Sequence, residues 1–236
     1  MIIPEEYSHM HPMGDSILIE LPQPKHNAQQ LVYIQISKNA SCWAKYHLSQ
    51  IKFLFYNYYQ QGFDPDRHKA LVILRDPLER WVSAMGQLIT GYEPGHHMHV
   101  DRIDWNKITA TILRNNHTQP QHDFFVNIPK ENIIWFRCDS DLGYRFTHCL
   151  ETYGVNLEVM SPESDVDNVF NITKKVPSKV TGGTHFGKKF EMPAQQTIVE
   201  RITSVLKQNP EYCDRIKNLY QKDLELFNTV PYYDPR

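Results

Sequence analysis

The sequence predicts an α/β domain in three layers, with a central parallel sheet flanked by helices. Three observations carry that expectation. Residues 31–36 form a short apolar, β-branched run that reads as a buried strand, and a tight turn of small residues leads from it into a helix-like stretch, residues 42–59. Residues 70–75 repeat the arrangement, an apolar strand followed by a helix with Pro77 in its first turn. Residues 132–136, NIIWF, read as a later parallel strand followed by a helix over 141–153. Strand, turn and helix recurring in this order belong to parallel sheets, whose crossovers lay helices over both faces.

Composition sets bounds on this picture. The 236 residues suffice for one well-buried domain over 1–236, with residues 1–30 as an N-terminal extension or edge segment; residues 16–21 are its candidate edge strand. A hydrophobic share of 41% supplies a core, and a formal charge of −2 argues against a general binder of nucleic acid or anionic membranes. Any anion site must therefore be local. Cys42, Cys138, Cys149 and Cys213 are widely spaced with no CxxC pair, and read as reduced, mostly buried thiols. No basic leader precedes an apolar segment, and no stretch approaches the ~20 apolar residues of a membrane span, so a cytoplasmic location and a bacterial or viral source are expected. Asn39, Asn116 and Asn171 match the glycosylation pattern, without consequence in that setting.

The chemistry concentrates where strands end. Ser37-Lys38-Asn39-Ala40-Ser41 joins a strand to a helix, and a helix N-terminus leaves backbone N–H groups and a dipole that favour an anion. Lys38 adds a positive charge and Ser41 a hydroxyl. This is a phosphate cradle without the Gly-Lys-Ser/Thr of a Walker loop. Arg75 ends the second strand. On the helix after it, Asp76, Arg80, Ser83 and Gln87 share one face, while Leu78, Trp81, Val82, Met85 and Leu88 share the face that should pack on the sheet. Arg75 and Ser83 are thus placed for a second phosphate.

Residues 38–43, Lys-Asn-Ala-Ser-Cys-Trp, resemble the 5′-phosphosulfate loop of sulfotransferases, written Lys-Ser-Gly-Thr-Thr-Trp in cytosolic members and Lys-x-x-x-Thr/Ser in carbohydrate-type ones. Residues 75–83, Arg-Asp-Pro-Leu-Glu-Arg-Trp-Val-Ser, resemble their 3′-phosphate motif. The resemblance implies the P-loop-like sulfotransferase fold, closest to the carbohydrate type though without its membrane anchor. It also implies the donor 3′-phosphoadenosine 5′-phosphosulfate, with its 5′ end on Lys38, Asn39, Ala40, Ser41, Cys42 and Trp43 and its 3′-phosphate on Arg75 and Ser83. Lys38 would stabilise charge on the departing phosphate. Cys42 stands where a threonine supplies a hydroxyl.

Further matches are shorter. Residues 115–121 resemble a His-x-x-Pro-Gln segment of carbohydrate-type enzymes, which makes His117 the leading candidate base on the acceptor hydroxyl and His122 the alternative. Arg137 and Asp139 resemble the Arg-x-Glu/Asp that closes a strand in the family, and residues 170–175 its Val-Asn-x-Thr-Lys. Tyr220, Asp223 and Phe227 resemble its terminal Tyr-x-x-Asp-x-x-x-Phe helix. The acceptor implied is a small molecule or glycan hydroxyl; no metal is required, and neither nucleic acid nor membrane is expected as a partner. His96, His97 and His99 lack companions at ligand spacing, and His9 and His11 read as surface residues. Residues 104–114 read as a helix, and the glycine- and lysine-rich stretch 176–189 as a loop that either closes over the nucleotide or is plain solvated chain. Two rival readings are a P-loop kinase, which the absent Gly-Lys-Ser/Thr disfavours, and a nucleotide-binding homologue without turnover.

Overall fold

A computed structural model of the chain describes residues 16–19, 21, 29–48, 50–51, 53–56, 62–91, 117–155 and 192–236. These residues fall into two compact units, each built from several stretches of chain. A sheet unit takes the described residues of 14–75 and 124–155, together with 230–236; a helical unit takes those of 76–123 and 192–229. The proposed loop at 176–189, the histidines at 96–99 and at 9 and 11, the helix at 104–114 and the segment 170–175 lie outside the described residues.

The sheet unit contains β1 (Ser16–Ile19), β2 (Gln30–Ile34), α1 (Ser41–Leu48), β3 (Phe53–Tyr56), β4 (His68–Leu74), β5 (Ile133–Arg137) and α3 (Leu142–Thr152). Its five strands run in the order β3-β1-β2-β4-β5. The three strands expected from sequence, β2, β4 and β5, are parallel, with Tyr33 beside Leu71 and Ile73 beside Phe136. β1 is antiparallel to both β2 and β3, so the sheet is mixed rather than wholly parallel. An antiparallel return needs no helical crossover, and the short link 20–29 permits it.

Two expectations are corrected here. Residues 16–21 do hold a strand, but β1 lies inside the sheet between β3 and β2 rather than at its edge. Residues 42–59 are not one helix: α1 stops at Leu48 and residues 53–56 become the edge strand β3. Phe-Leu-Phe-Tyr suits a pleated surface better than a helix, and pairing with β1 satisfies one side of its backbone.

Strand periodicity explains the core. Ile17, Ile19, Leu31, Tyr33, Leu71, Ile73 and Phe136 share one face and form a single cluster with Trp43, Ala44 and Leu48 of α1 and Phe146, Cys149 and Leu150 of α3. The alternate residues Val32, Ile34, Ala70, Val72 and Leu74 are buried too, which is why these strands read as unbroken apolar runs. α3 closes on Gly154 at φ 80°, where Val155 N–H reaches the Leu150 carbonyl at 2.9 Å. Along the outer side of β5 the chain end adds a parallel bridge from Tyr232 to Trp135, and Tyr233 N–H donates to the Trp135 carbonyl at 2.8 Å.

The helical unit contains α2 (Pro77–Gly91), α4 (Met192–Gln208), α5 (Pro210–Leu219) and α6 (Gln221–Thr229). Asp76 caps α2: its Oδ1 accepts the N–H groups of Leu78 at 2.9 Å and Glu79 at 3.0 Å, with Pro77 at the first helical position. Trp81, Val82 and Met85, the apolar face expected from sequence, pack with Ile202 and Leu206 of α4 and with Ile216 and Tyr220. Residues four apart on α4 offer an apolar stripe that fits the stripe on α2. No helix among the described residues is long and apolar enough to cross a membrane.

Candidate functional site

Among the described residues, the turn between β2 and α1 holds both non-glycine residues with positive φ. Lys38 and Ala40 both have positive φ, 71° and 54°, in the left-handed region that costs an L-residue about 1–2 kcal/mol. Asn39 sits between them, is buried, and donates its Nδ2–H to the carbonyl of Ile73 at 2.7 Å. Its backbone N–H bonds back to Ile36 at 3.2 Å. Alternating backbone hand of this kind curls successive N–H groups toward a common point, a concavity suited to an anion. Ala44 N–H is the first to close back along α1, onto Ala40 at 2.9 Å, so the N–H groups of Ser41 and Cys42 precede the helical ladder.

The end of β4 holds this turn from the side. Besides Ile73, Arg75 reaches it: the guanidinium Nη1 donates to the Lys38 carbonyl at 3.3 Å. Sheet order explains the encounter, because β2 and β4 are parallel neighbours whose chain ends emerge together. Lys38, Asn39, Ala40, Ser41 and Arg75 are thereby brought into one place. The ring of Trp43 goes elsewhere, into the core, edge-on to Phe146 at 5.5 Å and to His47 at 5.1 Å. Cys42 is half-buried, and burial pushes the phenol of Tyr33 far above its usual range. Cys138 and Cys213 are half-buried as well. Only Cys149 is the fully buried thiol that the sequence suggests; burial pushes it up to about 12.

The helical unit carries the other sequence-derived candidates. Ser83 is half-buried on α2. Arg80, on the same face as Ser83, is one of the most buried side chains and donates from Nη1 to the Gln119 carbonyl at 2.6 Å. The turn 117–123 is then pinned again from the far end of the chain. The Tyr220 hydroxyl donates to the Thr118 carbonyl, and Asp223 accepts the N–H of Gln121 at 2.6 Å and that of His122 at 3.0 Å. The same carboxylate takes the His122 ring, Nδ1 to Oδ1 at 2.7 Å. Asp223 is 1% exposed, and the His122 side chain 27%. On the ring's other side, Nε2 lies 3.4 Å from Asp123 Oδ1.

The hydrogen bond to Asp223 raises the pKa of His122 above the ordinary histidine value; the charges of Asp223 and Asp123 add to it, and partial burial and Lys222 work against it. His117 stands at the start of the turn, half-buried, and is not a member of this pair. Asp223 is the residue the site reading missed. Its signal was the spacing Tyr220-x-x-Asp223, three apart on a helix, which sets both side chains on one face toward a single loop. In the sheet unit, Arg137 ends β5, and Asp139 just beyond it pairs with Arg145 of α3, which also donates to the Arg137 carbonyl at 3.1 Å. Among the described residues no group of three or more His, Cys, Asp or Glu is placed to hold a metal ion.

No protein-family model, curated protein or solved structure matches the chain.

Proposed function

We propose that the chain is a sulfotransferase that uses 3′-phosphoadenosine 5′-phosphosulfate and modifies an acceptor hydroxyl, on a carbohydrate. The observation that carries this reading is the turn after β2. Its Ala40 is left-handed at the position where the resembling cytosolic motif has glycine, and Asn39 and Arg75 tie it to the end of β4. That backbone fits a terminal phosphate, because converging N–H groups and the start of α1 supply donors without a glycine-rich loop. When bound, the donor supplies an activated sulfuryl group. Lys38 would offset the negative charge that grows on the phosphate, an effect commonly worth about 3 kcal/mol of barrier. Arg75 and Ser83 are assigned to the 3′-phosphate by the motif resemblance. The base is assigned to the 117–122 turn on the same ground.

Calorimetric titration tests the reading. Adenosine 3′,5′-bisphosphate should bind the wild-type protein, AMP and ATP should bind far more weakly, and Arg75→Ala should lose most of the bisphosphate affinity. Preference for ATP, or binding indifferent to Arg75, would overturn the sulfotransferase reading and favour a kinase-like one.

A further inference from the structure

Asp223 does more than anchor a loop. A carboxylate is an acceptor only, so the ring nitrogen 2.7 Å from it must carry a hydrogen. In the neutral imidazole that leaves Nε2 with the lone pair, the form able to accept a proton. The two backbone N–H groups of Gln121 and His122 hold the carboxylate in place, so its hold on the ring does not depend on the ring itself. We propose that Asp223 is the positioning residue for His122, fixing its Nδ1–H tautomer and presenting Nε2 as the proton acceptor of the reaction. This rests on the sulfotransferase reading and makes the base His122 rather than His117.

In the step this implies, the acceptor O–H bond breaks and its electron pair forms the new bond from oxygen to sulfur; the bond from sulfur to the bridging phosphate oxygen breaks, its pair leaves with adenosine 3′,5′-bisphosphate, and the proton passes to Nε2. The resulting imidazolium is held between Asp223 and Asp123, and it returns the proton to solvent after turnover. The charged groups around the ring are Asp223 and Lys222 of α6 and Asp123 of its own turn. Two carboxylates against one lysine favour the imidazolium. That helps proton uptake and sets the acid side of the pH profile.

The wild-type full chain already gives a decisive reading. In nitrogen–proton NMR spectra of the imidazoles, with the His122 signal identified by its loss in His122→Gln, the neutral ring should carry its hydrogen on Nδ1. A hydrogen on Nε2 would overturn the proposal. Titration should place His122 above the ordinary histidine range, and Asp223→Asn should lower the midpoint; an unchanged midpoint in a folded variant contradicts the assignment. If Asp223→Asn does not fold, the wild-type tautomer decides alone. In turnover, Asp223→Asn should cut kcat by roughly 10²-fold, move the rising limb of the pH profile toward acid, and leave bisphosphate affinity unchanged. Loss of affinity with kcat intact would instead mark Asp223 as structural. Failure of the sulfotransferase reading would show separately, as wild-type protein that does not bind the bisphosphate, while tautomer and titration still decide whether Asp223 positions His122.

Discussion

Ala40 shows how its neighbours can hold a residue in a costly dihedral. A left-handed alanine is strained, yet its carbonyl is committed to Ala44 and its neighbour Asn39 to Ile73, so the surroundings hold it there. Ala40→Gly should relieve that strain and raise stability by about 0.5–1 kcal/mol in urea unfolding, less any gain in unfolded-chain entropy. A loss of stability would show that the methyl's packing matters more than the angle. His122 gives a second residue-level prediction. Its folded pKa is raised, so its contribution is fully present below the ordinary value of 6.5 and is lost as pH rises through the higher folded midpoint. The stability difference between wild type and His122→Gln should therefore be largest in mild acid and shrink toward alkaline pH. A difference that grows with pH would contradict the pairing with Asp223.

At the scale of elements, the strands at 31–36 and 70–75 and the helix that opens at Pro77 were legible because apolar runs and Pro77 mark them. The strand 133–137 and the helix 142–152 were legible for the same reason. The segment 42–59 was not, since Phe53 to Tyr56 becomes a strand only when β1 offers a partner, and pairing is a non-local event. Trp81 and Met85 were correctly read as one apolar face. What covers that face, Ile202 and Ile216, lies more than a hundred residues away and leaves no local trace. The edge of β5 carries its own prediction. Tyr232 and Tyr233 cover it, and the Tyr233 hydroxyl meets His148 Nδ1 at 2.8 Å. Deleting residues 231–236 should cost about 1–3 kcal/mol and increase aggregation, because it bares an apolar edge strand. An unchanged midpoint and unchanged solubility would show that the bridge contributes nothing.

For the whole molecule, a net charge of −2 offers no long-range attraction to a polyanionic nucleotide, so the proposed recognition rests on local donors. The sheet unit supplies these from the adjoining ends of β2 and β4, two strands 37 residues apart at Lys38 and Arg75. The helical unit joins His122 to Asp223 across 101 residues. The motifs were visible in the sequence; the long-range pairing that gives Asp223 its role was visible only as a spacing on the last helix. The central claim is that the 38–42 turn holds a phosphate, and the most direct measurement follows the backbone amide signals of the full chain as adenosine 3′,5′-bisphosphate is added. Asn39, Ala40, Ser41 and Cys42 should shift most, and adenosine alone should leave them in place. Saturable binding that leaves those four amides unmoved would contradict it.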